Sequence, residues 1–168
     1  MIETERLKIM PLDYGALLDY ILTENIFENK QGFKETGRII SDDLKEMIES
    51  FTLPKMKEST AENYLFYTIW IVVDKAENSI VAELGFRGEP NGLSEIEIGY
   101  GTMPGQWGKG FMTEAVSGML QWCKKQPTIK YVLANTDQNN IASIRIVQKN
   151  GFSGEGIKDD LLAWRIAV

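Results

Sequence analysis

The sequence predicts an α+β fold: a central mixed, mostly antiparallel sheet of six to seven strands flanked by about four helices. Three observations predict it. Residues 64–100 hold three apolar runs separated by turn signals, the pattern of an antiparallel meander. Residues 93–135 then read strand, helix, strand, which packs a helix onto the sheet. Ahead of the meander lie two segments with helical signals, 12–22 and 41–51. At 168 residues the chain is expected to form one domain, 1–168, large enough to bury a core without cross-links.

Residues 5–10 read as a short opening strand. In 12–22, Leu12, Ala16, Leu17, Tyr20 and Ile21 recur at helical spacing, so an amphipathic helix is expected. Residues 24–40 mix Asn, Gln, Gly and charges and read as a loop. Ser41, followed by Asp42 and Asp43, is a helix N-cap with acidic first-turn residues, and opens a helix to about residue 51. Residues 52–63, with Pro54, read as a polar connection. The run 64–73 is dense in β-branched and aromatic residues and reads as a mostly buried strand. A turn at 74–79 leads to a strand at 80–87. Glu89-Pro90-Asn91-Gly92 is a turn, followed by an alternating strand at 93–100. The helix at 110–125 buries Ala115, Val116, Met119, Leu120 and Cys123, and Pro127 helps end it. Residues 129–135 form a strand and 141–149 a short helix capped by Asn150-Gly151. Residues 152–157 and 161–167 close the chain as an antiparallel pair.

Composition excludes several kinds of function. Net charge is −6, which disfavours nucleic acid and anionic membrane as partners and mildly favours cationic ones. The chain has no histidine, which removes Ser–His–Asp and Cys–His catalysis and the commonest metal ligand. No metal site is expected. Proton transfer falls to Asp, Glu, Tyr, Lys or water. The single cysteine, Cys123, excludes an intrachain disulfide and fits a reducing, cytoplasmic location. No signal peptide or membrane span is visible.

The most informative stretch is 95–115, EIEIGYGTMPGQWGKGFMTEA. A strand runs into a glycine-rich turn and then a helix N-terminus, where free N–H groups suit phosphate oxygens. Glu95 and Glu97 project from one face of that strand. A nucleoside-triphosphate P-loop fails here. Gly110 stands where Ser or Thr is needed, and Met103 stands five residues before Gly108. A dinucleotide fingerprint fails as well, because Gly108-Lys109-Gly110 continues as Phe111-Met112-Thr113.

In this stretch the sequence resembles the GNAT acetyltransferases, and within them the RimJ/RimL-like branch. The family motif [QR]-x-x-G-x-[GA] falls on Trp107 to Met112. Gly110 matches, while Trp107 and Met112 depart from the pattern. Trp-Gly-Lys-Gly-aromatic followed by Thr113-Glu114-Ala115 is typical of that branch. Residues 3–10, ETERLKIM, resemble its opening strand. Asn140, Ser143, Gly151 and Phe152 fall on its second cofactor segment.

The resemblance implies an enzyme that moves an acetyl group from acetyl-CoA to a primary amine, on a protein N-terminus or a small molecule, by direct transfer in a ternary complex. It implies a splayed strand pair whose unpaired edge takes pantetheine, with Gly101, Thr102 and Met103 as the expected partners. Pyrophosphate would lie on the N–H groups of Gly108, Lys109, Gly110, Phe111, Met112 and Thr113. Asn140 holds pantetheine or caps the following helix, and Asn135 faces the acetyl group. A protonated amine needs a base, and Glu97 is the first candidate, Glu95 the second. An N–H near Thr102 would hold the oxyanion. Many family members carry a Tyr seven residues after the cofactor-segment Asn; here that position is Val147, and Ser143 is the expected thiolate partner. Two alternatives stay open: a non-catalytic acyl-CoA binder, and a transferase for another acyl group. The oligomeric state stays open between monomer and homodimer.

Overall fold

The computed structural model describes residues 1–22 and 25–168. Among these residues eight strands form one sheet in the order β1-β2-β3-β4-β5-β6-β8-β7: β1 (Ile2–Glu3), β2 (Leu7–Pro11), β3 (Ile69–Asp74), β4 (Ser79–Phe86), β5 (Glu95–Thr102), β6 (Tyr131–Asp137), β7 (Ser153–Lys158) and β8 (Leu161–Ala167). Every neighbouring pair is antiparallel except β5–β6. The expected mixed sheet is therefore present, with one more strand than the sequence suggested.

Strand β3 separates two cores. Trp70 and Val72 pack toward helices α5 (Phe111–Cys123) and α6 (Ile141–Lys149), while Ile69, Ile71 and Val73 pack toward α1 (Tyr14–Ile21) and the segments that follow it. Burial on both faces explains its unbroken apolar sequence. On the α5 side, Trp122 meets Phe66, Trp70 and Phe86 with ring centroids 6.0, 5.3 and 5.8 Å away. Gly118 lets α5 lie close over the N-terminal strands. A Cβ there would stand 2.9 Å from Thr4 Cγ2 and 3.2 Å from Ile9 Cδ1.

Four expected elements differ. The loop at 24–40 contains α2 (Ile26–Gln31), and residue 24 lies outside the described residues. Its polar sequence gives no periodic signal. Phe27, edge-on to Tyr20 at 5.4 Å, and the buried Glu28 tie it to the core instead. The helix opened by Ser41 does not stop near 51. It runs as α3 (Asp42–Met47), a π turn (Ile48–Thr52) and α4 (Leu53–Glu58). Pro54 explains the π turn: in a regular helix its ring would strike the carbonyl four residues back. The wider turn, with Leu53 N–H donating to Ile48 O, relieves that clash. Residues 63–66 form a 3₁₀ turn, so β3 begins at Ile69 rather than 64. The opening strand likewise starts at Leu7, after a turn in which Thr4 N–H donates to Leu7 O at 3.0 Å.

Cys123 lies fully buried on the inner face of α5, as its spacing predicts. Burial pushes its thiol up to about 12. The native protein should therefore resist iodoacetamide at pH 8, and alkylation should appear only in denaturant. Rapid native alkylation would show that α5 opens readily.

Candidate active site

The site is set by where two strands part. β5 and β6 share three rungs, Glu95–Tyr131, Ile96–Val132 and Glu97–Leu133. Beyond them each strand stays paired only on its outer side, β5 to β4 as far as Thr102 and β6 to β8 as far as Asp137. A gap lined by main chain opens between them. Arg87 N–H donates to Glu97 O and Met103 N–H donates to Val81 O, both at 3.0 Å, so odd-numbered β5 residues turn their main chain toward β4. By strand alternation, Ile98, Tyr100 and Thr102 turn theirs into the gap. Of the three residues expected to meet pantetheine, Thr102 thus faces the gap, with its carbonyl accepting from Trp107 Nε1 at 3.2 Å, while Gly101 and Met103 present their main chain to β4.

At the mouth of the gap stands the glycine-rich turn. Gly105, Gly108 and Gly110 adopt φ of 77°, 78° and 80°, where a Cβ is strained. Glu114 N–H donates to Gly110 O, so the N–H groups of residues 111–113 have no intrahelical acceptor. Phe111 and Met112 are buried and offer only main chain to a ligand. Lys109 Nζ donates to Gln106 Oε1 at 2.8 Å, and Thr113 O accepts from Asn150 Nδ2 at 3.2 Å.

One carboxylate fixes this turn to the N-terminal strands. Glu114 accepts from Thr4 Oγ1 at 2.6 Å, from Arg6 N at 2.8 Å and from Arg6 Nε at 2.7 Å. Arg6 Nη1 donates to Lys109 O at 3.0 Å, and its guanidinium lies 5.0 Å over the Phe111 ring. Burial raises the Glu114 carboxyl, but the bonds from Thr4 and Arg6 outweigh it and hold it below the usual range. Thr4 and Arg6, legible only as a family pattern in the sequence, are braces of the turn.

The remaining expected residues divide by face. Asn140 caps α6, its Oδ1 accepting from Ser143 N at 3.0 Å. That frees the Ser143 hydroxyl, which lies 3.0 Å from the Tyr100 hydroxyl. The pair links β5 to α6 beside the gap. Burial raises the Tyr100 phenol, partly offset by Ser143. Glu95, Glu97 and Asn135 lie on the opposite face, around a depression of about 450 Å³. Glu95 is tied to Arg165 at 3.0 Å and to Asn91 at 3.1 Å, and Glu97 to Arg87 at 2.9 Å.

Beside them runs a larger groove of about 580 Å³. Leu44, Met47, Phe51 and Tyr67 wall it, and Gly85, Gly99 and Gly101 line it from the sheet. A Cβ on Gly99 would meet nothing within 4 Å, so the groove is open there. Glu83 of β4, the partner of Gly101, also lines it. Tyr20 Oη donates to Glu83 Oε2 at 2.6 Å.

These features match known proteins. The model of the acetyltransferase (GNAT) domain matches residues 6–153. The chain belongs to the GNAT acetyltransferase family. It is 28% identical over 153 residues to the uncharacterized N-acetyltransferase YjdG of Bacillus subtilis, covering 90% of this chain and 89% of that one. A GNAT acetyltransferase structure from Bacillus anthracis aligns with TM-score 0.61 at 20% identity over 99% of this chain and 96% of that one. RimL, a ribosomal α-N-protein acetyltransferase solved with coenzyme A, aligns with TM-score 0.66 at 13% identity over 98% and 96%. The protein is thus an acetyltransferase enzyme of mixed α/β GNAT fold, and acetyl-CoA is the donor that such enzymes use. The residues fit it: a strand edge with unpaired main chain leads to a turn whose glycines leave a cradle that side chains would fill.

In the sequence Tyr20 is legible only as part of the apolar face of the helix at 12–22, and Glu83 belongs to no motif. The available signal was the single charge in SIVAELGF, a strand otherwise without charged residues. Glu114→Ala should cost about 1–2 kcal/mol in urea unfolding, because it leaves Thr4 and Arg6 without their acceptor. It should also raise the acetyl-CoA Kd several-fold. Unchanged affinity would mean that the brace does not shape the turn.

Proposed function

We propose that this enzyme acetylates primary amines, taking acetyl-CoA in the β5–β6 gap and the amine from the groove on the opposite face, with direct transfer in a ternary complex. The observation that carries this reading is the parting of β5 and β6 between two separate approaches. Unpaired main chain and the glycine-rich turn lie on one approach, and the groove walled by α3 and the π turn lies on the other. A RimJ/RimL-like assignment within the family is supported by Thr4 and Arg6 bracing Glu114, and by the likeness to RimL.

Acetyl-CoA supplies an activated acyl thioester. Ile98, Tyr100 and Thr102 would pair with its pantetheine arm, and the N–H groups of 108–113 would take the pyrophosphate. The amides of Tyr100 and Thr102 are the donors available to a thioester carbonyl. Ser143, coupled to the Tyr100 hydroxyl, is the group that would return a proton to sulfur. An amine arriving protonated needs a carboxylate on the groove side, where Glu97 and Glu83 both stand. Glu95, held by Arg165 and Asn91, stands at the first paired rung, away from the parting.

Thermal unfolding with acetyl-CoA tests the donor site. Saturation at about 100 times Kd should add about 2.7 kcal/mol. That is a rise on the order of 5–10 °C for a domain of this size. Desulfo-CoA should act likewise and ATP should not. Gly99→Val should keep this shift yet lower transfer to a panel of primary amines at least about tenfold, because it fills the groove floor. Loss of the shift in wild type would remove the donor site. Full transfer by the Gly99 variant would remove the groove as acceptor entrance.

A further inference from the structure

We infer that Glu83 is the proton acceptor for the amine, positioned by a buried relay of Tyr20, Arg38 and Glu28 behind the groove. The inference rests on the acyl-transfer reading above and adds a catalytic residue on β4, a strand outside every recognisable motif.

Position comes first. Glu83 pairs with Gly101, and Gly85 with Gly99, so these four share one face of the sheet. Opposed Cα atoms in such pairs lie about 5.5 Å apart. Tyr100, whose main chain faces the gap, lies between Gly99 and Gly101. An amine crossing the glycine floor toward the gap therefore passes beside the Glu83 carboxylate. The missing side chains at Gly99 and Gly101 keep that passage open. Glu97 lies four residues back along β5, about 13 Å at strand rise, and engages Arg87.

The surroundings suit a base. Burial pushes the Glu83 carboxyl above its ordinary range, and the Tyr20 hydrogen bond and the Arg38 charge offset this only in part. A carboxylate of raised proton affinity is a better acceptor near neutral pH. Tyr67, Tyr100 and Arg87 are the other titratable groups along the groove, and Arg87 is paired with Glu97 of the neighbouring depression.

The relay holds Glu83 in place. Tyr20 is fully buried, and its phenol is driven well above its usual value by burial and by the Glu83 charge, so it stays a donor. Arg38 lies 3.8 Å over the Tyr20 ring and donates to Tyr20 O at 2.7 Å. Its other bonds go to Glu28, at 2.8 and 3.2 Å, in an ion pair almost wholly removed from solvent. A buried pair of this kind fixes geometry more than it adds stability. Here it locks α1, α2 and the segment carrying Arg38 so that the Tyr20 hydroxyl points at Glu83.

The step balances. Of the ammonium's three protons, one passes to a Glu83 oxygen and then to water. A second ends on the thiol sulfur and the third stays on the amide. The N–C bond forms as the C–S bond breaks.

Three variants test the assignment: Glu83→Gln, Tyr20→Phe and Glu97→Gln. With the best acceptor of a primary-amine panel, Glu83→Gln should lower kcat about 10²- to 10⁴-fold and remove its acidic limb. Tyr20→Phe should move that limb to higher pH, since it deletes a bond that favours the charged carboxylate. Retained acetyl-CoA thermal shifts show that each variant folds. Two readouts do not need turnover. The ¹³C carboxyl signal lost in Glu83→Gln should titrate above the ordinary range in wild type, and shift when n-hexylamine is added with coenzyme A. Folding favours the protonated form of Glu83, so its contribution to stability is present at low pH and lost as pH rises through its folded pKa. The urea midpoint of Glu83→Gln relative to wild type should accordingly rise with pH. An acidic limb removed by Glu97→Gln instead, or a Glu83 signal that titrates normally and ignores n-hexylamine, overturns the inference. Absence of any acetyl-CoA shift in wild type counts against the acyl-transfer reading, while the carboxyl titration still decides Glu83.

Discussion

Everything functional in this chain depends on one unsatisfied ladder. β5 and β6 pair for three rungs and then part, although each continues for several residues. Main-chain groups that face no partner carry a free-energy cost inside a protein, so a sheet normally closes such gaps. Here closure is prevented from both sides. β4 holds β5 through Thr102, and β8 holds β6 through Asp137. Each strand follows its outer neighbour, and the twist of the sheet carries them apart. The Tyr100–Ser143 contact ties β5 to α6 beside the opening. An extended ligand with its own hydrogen-bonding groups satisfies what the sheet leaves free.

The parting also joins two chemically different approaches. On the α5 and α6 side, glycines of positive φ and the Glu114 brace shape an anion cradle in a chain of net charge −6. On the other side, α3 and the π turn wall an apolar groove that holds few charges. Pro54, which forces the π turn, therefore bears on function: the widened turn contributes Phe51 and Thr52 to the groove lining. A carboxylate in that low-polarity setting holds its proton more tightly than one in water.

Much of the donor side was legible in the sequence, and much of the acceptor side was not. Glycine spacing, the alternation of 93–100 and the Asn140 cap are local signals, and local signals survive in sequence. The helix at 141–149 and the final strand pair lie close to their expected bounds for that reason. Glu83 shows locally only as the lone charge of its strand, since its surroundings come from α1, α2 and Arg38, with Tyr20 63 residues away. Helix α2 was hidden because tertiary contacts of Phe27 and Glu28, not periodicity, form it. Glu97 drew attention by alternating with Ile96 and Ile98, but only three dimensions reveal its Arg87 partner.

The most direct test of the account is amide hydrogen exchange with and without desulfo-CoA. Exchange should slow at Tyr100 and Thr102 and across residues 108–113, with little change at Gly101 and Met103, whose amides already face β4. Protection confined to other segments, or none in β5, would contradict the claim that the parted strand edge is where the donor binds.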